Sequence, residues 1–152
     1  MKNDHLRIKK QPKNRCTGEC ELVDIWEDSV RATHSFLTHA DIETIKLYVP
    51  HAIKAVPHLF VARENTGSIH GFLGISGQKN EMLFIATQYR GHGLGKKLIQ
   101  EAMSLYPITD VVVNEQNQQA IGFYEHMGFE VYDRSAIDEH GGTFPILFMR
   151  KP

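Results

Sequence analysis

The stretch Leu83–Leu98, LFIATQYRGHGLGKKL, constrains the fold more than any other part of the chain. A strand-like run leads into Gly91, Gly93 and Gly95, and a helical pattern follows at once, with Leu94, Leu98, Ile99, Ala102 and Leu105 on one side. The first turn of a helix carries unpaired N–H groups and the positive end of the dipole. Glycines there let a phosphate reach the backbone without meeting Cβ atoms. The loop reads as a phosphate or pyrophosphate site, with Arg90 and Lys96 adding charge. The alternative is a glycine-rich turn that holds nothing.

Two nucleotide patterns fail here. A P-loop needs G-x-x-x-x-G-K-[ST], but Lys97 replaces the hydroxyl residue and Arg90 stands where the first glycine belongs. The dinucleotide pattern G-x-G-x-x-G fails because Lys96 takes the third glycine's place.

The rest of the chain supplies the layers around this turn. His5–Lys10 alternates like a half-buried strand. After Gly18 and Glu19, the residues Leu22, Ile25, Trp26, Ser29, Val30 and Thr33 fall on one helix face. A second helix is expected from Asp41 to Ala55, with Pro50 breaking or kinking it. Leu59–Ala62 and Ile69–Ile75 flank an Asn65-Thr66-Gly67 turn, and Glu81–Thr87 is a third short run. A helix is expected over Arg90–Leu105. The run DVVVN (Asp110–Asn114) reads as a strand buried on both faces. Asn117 caps a helix that buries Ala120, Phe123, Tyr124 and Met127 and ends at Gly128. Two strands, Phe129–Ser135 and Phe144–Arg150, surround a turn at Asp138–Gly142. The order β-α-α-β-β-β-α-β-α-β-β predicts an α/β (α+β) fold. It is a mixed, mostly antiparallel central sheet of about seven strands, flanked by about four helices.

Composition excludes several classes. The 152 residues suit one domain, 1–152. Lys and Arg number 17 against 18 Asp and Glu, a formal charge of −1, so no basic excess exists for nucleic acid. The longest apolar runs are too short to span a bilayer, and Met1–Arg15 has no apolar core of a leader. A cytoplasmic location is therefore expected, with neither nucleic acid nor membrane as a partner and the oligomeric state left open. Cys16 and Cys20 read as ordinary thiols, and the histidine spacings offer no helical metal pair, so no metal is expected.

One pattern does fit the glycine loop: [Q/R]-x-x-G-x-[G/A], met by Arg90, Gly93 and Gly95. A second follows it, V-N-E-Q-N-x-x-A-x-x-F-Y-x-x-x-G-F from Val113 to Phe129. In these the chain resembles the GCN5-related N-acetyltransferases. It is similar to the bacterial YjaB-type acetyltransferases in Ile25–Leu37, Ser76–Ile85, NEQNQQAIGFYEHMGF and DRSAIDEHGG. The resemblance covers nearly the whole chain.

It implies acetyl-CoA as acetyl donor and an amine acceptor, a small molecule or a peptide, attacking directly in a ternary complex. Backbone groups of Phe84, Ile85 and Ala86 would pair with the pantetheine arm. The loop Arg90, Gly91, His92, Gly93, Leu94, Gly95 and Lys96 would hold the pyrophosphate, with Lys97 adding charge. Asn117 would bond the cofactor arm, Phe123 would pack near it, and Tyr124 would sit beside the sulfur. Many relatives have Asp-Pro where this chain has Ala86-Thr87, a change that backbone pairing tolerates. A non-catalytic acyl-CoA sensor is the alternative reading.

The chemistry assigns roles within that frame. A tyrosine hydroxyl is able to protonate a leaving thiolate, which makes Tyr124 the candidate acid. The plainer reading is a core aromatic. A substrate ammonium must lose a proton before attack, and Glu81 and His34 are equal candidates for the base, with a water chain as the third option. Trp26, Ser29, Thr33, His34 and Phe36 would line the acceptor side. For Trp26, Ser29 and Thr33, packing on the inner helix face is an equal alternative.

Overall fold

Alternating and continuous apolar runs build a seven-stranded sheet in the order β1-β2-β3-β4-β5-β7-β6. The structure is a computed structural model and describes residues 6–11, 19–138 and 141–152, with Glu19 and Cys20 in backbone only. The readings of His5, Cys16, Gly18 and the Cys20 side chain lie outside the described residues.

The strands are β1 (Leu6–Lys10), β2 (His58–Glu64), β3 (Ile69–Ser76), β4 (Lys79–Ile85), β5 (Asp110–Asn114), β6 (Glu130–Ser135) and β7 (Ile146–Arg150). The helices are α1 (Glu19–Thr33), α2 (His39–Lys46), α3 (Val49–Ala55), α4 (Leu94–Met103) and α5 (Gln118–His126). A single 3-10 turn, Thr87–Tyr89, joins β4 to the glycine loop. All neighbouring strands run antiparallel except β4 and β5. No helix among the described residues is long and apolar enough to cross a membrane.

Two cores form because the central strands are apolar on both faces. On β2, Leu59 and Val61 join Trp26, Val30, Ile42 and Ile53 of the first three helices. Phe60 and Ala62 face Leu98, Ile99 and Tyr124 of α4 and α5 on the other side. Each fully buried Leu, Ile or Phe contributes roughly 1.5–3 kcal/mol relative to exposure.

Several boundaries and one burial pattern differ from the sequence reading, among them the third short run, expected over Glu81–Thr87 and found as β4 over Lys79–Ile85. The helix expected over Asp41–Ala55 is two helices, so there are five rather than about four. Pro50 has no N–H to give the Lys46 carbonyl, and it sits in the first turn of α3, where that N–H is not needed. The helix expected from Arg90 starts at Leu94, because Arg90 is extended and Gly93 is left-handed at φ +80°. In β5, Val111 and Val113 are buried but Val112 is only half-buried, since β4 has already turned away from it.

That divergence is the central feature. β4 and β5 pair at Lys79↔Asp110 and Asn80↔Val111 and make no further ladder pairs. Beyond Asn80 the two strands open like a V towards the glycine loop. A second irregularity lies at the vertex. Between β3 and β4, Gly74 pairs with Met82 but Ile75 pairs with Asn80, so Glu81 is the extra residue of a β-bulge.

Candidate functional site

A cavity of about 790 Å³ fills the V and continues beneath α1 and α2. It falls within the size range of small-ligand sites, ~300–1,000 Å³. One arm is built by the open edge of β4, the glycine loop and the start of α5. The other is built by the end of α1, by α2 and by the β6–β7 connection.

The first arm suits an extended chain ending in phosphates. Leu83, Phe84 and Ile85 line it from a β4 edge that has no ladder partner on the β5 side. Its polar backbone groups are therefore free to pair with a ligand. Gly91 and Gly93 have φ +81° and +80°, and a Cβ added at either would meet nothing within 4 Å. Gly93 caps α4 without any side-chain bond, which leaves the first-turn N–H groups of Leu94, Gly95 and Lys96 available. Arg90 Nη2 donates to Gln119 Oε1 at 2.5 Å, tying the loop to α5. Asn117 Oδ1 accepts from Ala120 N at 3.2 Å, so its offer to a ligand is the Nδ2 amide. These groups fit acetyl-CoA: a backbone edge for the pantetheine amides, and a helix N-terminus with cations for the pyrophosphate.

Tyr124 lies at the vertex, where the arms meet. Burial pushes its hydroxyl well above the ordinary tyrosine value, so it carries its proton at every working pH. Its Oη lies 2.8 Å from the side-chain amide of Asn80, which is only 4% exposed.

His34 lines the second arm. Burial first, and the Arg90 guanidinium second, lower its pKa to about 4, so the ring is neutral. Thr33 Oγ1 donates to Ser29 O at 2.8 Å and lies 2.7 Å from His34 Nδ1. Thr33 has one proton, so the tautomer that completes both contacts has the hydroxyl donating to the carbonyl and Nδ1–H donating to Oγ1. The Nε2 lone pair is then left for a ligand. Aromatic contacts run from His34 to Phe36 (5.2 Å) and from Phe36 to Phe144 (5.9 Å) across the arm. Glu81, on the bulge, is exposed and lies 3.5 Å from Lys79 Nζ.

Most expected residues converge on this cavity, and four do not, one of them Lys97, which is exposed on α4 and does not line it. Trp26 is 6% exposed and belongs to the core beneath α1. It sits seven residues before Thr33, about 10 Å along the helix axis. Ala86 is core, and its N–H is taken by His70 O at 2.9 Å. His92 is exposed at the tip of the loop and does not line the cavity. Sequence reasoning missed Asn80, Gln119 and Phe144. For Asn80 a signal existed: asparagine is depleted in strands, so one inside β4 asks for a reason. Phe144 has no local signal, because its partner Phe36 is far away in sequence.

Comparison with known proteins agrees with this geometry. A family model described as an acetyltransferase (GNAT) domain matches residues 56–131. The chain is 39% identical over 132 residues to the peptidyl-lysine N-acetyltransferase YjaB of Salmonella typhimurium strain LT2, covering 87% of this chain and 90% of that protein. It superposes on the solution structure of apo-form YjaB from Escherichia coli with a TM-score of 0.83 and 36% identity, over 95% and 96% of the two chains. The PaiA N-acetyltransferase of Thermoplasma acidophilum, solved in complex with coenzyme A, shares the fold at a TM-score of 0.72 and 21% identity, over 95% and 98%.

Proposed function

The chain belongs to the GNAT family of N-acetyltransferases, and on that basis we propose that its acceptor is the side-chain amine of a lysine in a peptide or protein. The enzyme uses acetyl-CoA, which supplies the activated acetyl group. The observation that carries the acceptor assignment is the second arm of the cavity. Its walls are aromatic at Phe36 and Phe144, Asp41 lines it from α2, and Glu81 lines the same cavity from β4. A lysine presents that pairing, four methylenes and a terminal cation. The YjaB relatives, named as peptidyl-lysine N-acetyltransferases, support the same choice.

The residues divide the proton traffic. His34 Nε2, neutral and with its lone pair turned away from Thr33, accepts the proton that the acceptor ammonium must lose and passes it at once to water, because burial and Arg90 keep the ring from holding it. Tyr124 Oη gives its proton to the departing thiolate. Arg90, Lys96 and the α4 N-terminus hold the phosphates, and β4 orients the arm between. Both arms are one continuous space, which supports direct transfer with donor and acceptor bound together. The cytoplasm, where acetyl-CoA is held, is the compartment this reading implies.

The test is thiol release from acetyl-CoA with an unstructured lysine peptide, its N-terminus blocked, set against free lysine and small polyamines. The peptide should give the highest kcat/KM, with mass spectrometry placing acetyl on Nζ. A small amine turned over at least tenfold better than any lysine peptide would overturn the assignment.

A further inference from the structure

We propose that Asn80 is a positioning residue for Tyr124: it fixes the hydroxyl at the vertex of the V and holds its proton until the thiol departs. The inference rests on the acid role given to Tyr124 above.

The argument starts with the bulge. Ile75, opposite Asn80, faces the α4–α5 core, as do Leu73 and Leu83, which pair two steps along the ladder. Met82 and Phe84 face the other core. In an unbroken strand Asn80 would share the face of Met82 and Phe84, since residues two apart point the same way. The extra residue, Glu81, turns Asn80 to the opposite face, where Tyr124 lies. Asn80 is also the last residue of β4 to pair with β5.

The orientation of the amide follows from its partners. It lies between two backbone carbonyls and one hydroxyl. With Nδ2 turned to the carbonyls it donates to Met82 O at 2.9 Å and to Gly74 O at 3.3 Å, and Oδ1 accepts from Tyr124 Oη at 2.8 Å. The reverse orientation would set a carbonyl oxygen against two carbonyl oxygens. The Asn80 amide therefore bonds one carbonyl on each strand at the bulge and, with its one remaining atom, receives the tyrosine proton. A short rotation about the Cζ–Oη bond takes that proton from Oδ1 to a thiolate in the V. The O–H bond breaks, an S–H bond forms, and Oη regains a proton from solvent.

A double-substitution cycle separates this role from a merely structural one. Asn80→Ala should lower kcat about tenfold while acetyl-CoA affinity, read by calorimetry, stays within about twofold. In a Tyr124→Phe background the same substitution should change kcat less than about twofold, because no proton remains to be held. In the protein without acetyl-CoA, the Tyr124 hydroxyl proton should give a resolved NMR signal that Asn80→Ala abolishes. Should Asn80→Ala fail to fold, the near-isosteric Asn80→Asp goes through the same cycle with the same expectation for the Tyr124→Phe background. Equal losses in both backgrounds, or an unchanged hydroxyl signal, overturn the role of Asn80 and leave the acid role of Tyr124 standing. An unchanged kcat in Tyr124→Phe alone overturns the acid role itself.

Discussion

Asp28 Oδ2 accepts a hydrogen bond from the backbone N–H of Thr87 at 2.6 Å, joining α1 to the turn that enters the glycine loop. With the longer bond from Thr87 Oγ1 to Asp28 O at 3.4 Å, this contact ties the two arms of the cavity, since Ser29 and Thr33 lie at the end of α1, His34 follows it, and the loop begins three residues after Thr87. Asp28→Ala should cost about 1 kcal/mol, as loss of an exposed but charge-assisted bond does. It should also raise both the acetyl-CoA Kd and the acceptor KM about two- to fivefold, because each arm loses its brace. Thr87→Ala keeps the backbone donor and loses only the long Oγ1 bond to Asp28 O, so it should change each constant less than about twofold. Calorimetry and initial rates on the two variants check this, and an Asp28→Ala protein with wild-type constants would dissociate the arms.

His34 gives a pH signature. Its folded value of about 4 lies below the unfolded 6.5. Between those values the unfolded chain binds the proton and the folded chain does not, so stability is complete above about pH 6.5 and is lost as pH falls towards 4. His34→Gln should flatten that part of the curve. Glu27, Asp110 and Glu115, held low first by bonds to Lys46, Thr109 and Arg134 respectively, add their own acid loss in both proteins. The difference between the wild-type and variant melting curves from pH 7 to 4 isolates the histidine. A flat difference would mean that His34 titrates normally.

The part of the site legible in the sequence is the part that is local. Arg90 to Lys96 form one strand-to-helix turn, and Asn117 to Tyr124 form one capped helix, so consecutive residues carry both patterns. The order of elements along the chain followed from the same local periods, whereas the strand order in the sheet, with β7 between β5 and β6, did not. What the sequence withheld depends on register. A single extra residue at Glu81 decides which face Asn80 presents, and nothing in KNEML announces it. The Phe36–Phe144 contact joins segments over a hundred residues apart and has no period to reveal it. Trp26 shares the helix face of Ser29 and Thr33, but only the far end of that face reaches the cavity, and a face pattern does not say where along its length a site lies.

Gly93 and Gly67 allow backbone strain to be separated from ligand binding. Both are left-handed, at φ +80° and +96°, and a Cβ would meet nothing at either. Alanine should therefore cost each a similar ~1–2 kcal/mol of stability. Gly67 lies in the β2–β3 turn, away from the cavity, whereas Gly93 caps the helix that offers its N–H groups to phosphate. Gly93→Ala should weaken acetyl-CoA binding at least about tenfold, and Gly67→Ala should leave it unchanged. Equal affinities in the two variants would argue that the loop does not bear the phosphates.

The two candidates for the base differ in surroundings, and that difference predicts opposite kinetic effects. Glu81 sits on the bulge, exposed, with Lys79 Nζ at 3.5 Å, so water and a fixed cation already share its carboxylate. A group so placed attracts a cationic acceptor but has little reason to lie against the reacting nitrogen. His34 is enclosed, neutral and held in one tautomer by Thr33. Measured with a lysine peptide at saturating acetyl-CoA, Glu81→Gln should raise the acceptor KM about two- to fivefold and keep kcat within about twofold. His34→Gln should lower kcat about a hundredfold, the usual contribution of a positioned base, and leave KM nearly unchanged. Thr33→Val, which removes the partner of Nδ1–H and frees the ring to adopt either tautomer, should fall between them in kcat. A large kcat loss in Glu81→Gln with a mild one in His34→Gln would transfer the base role to the bulge.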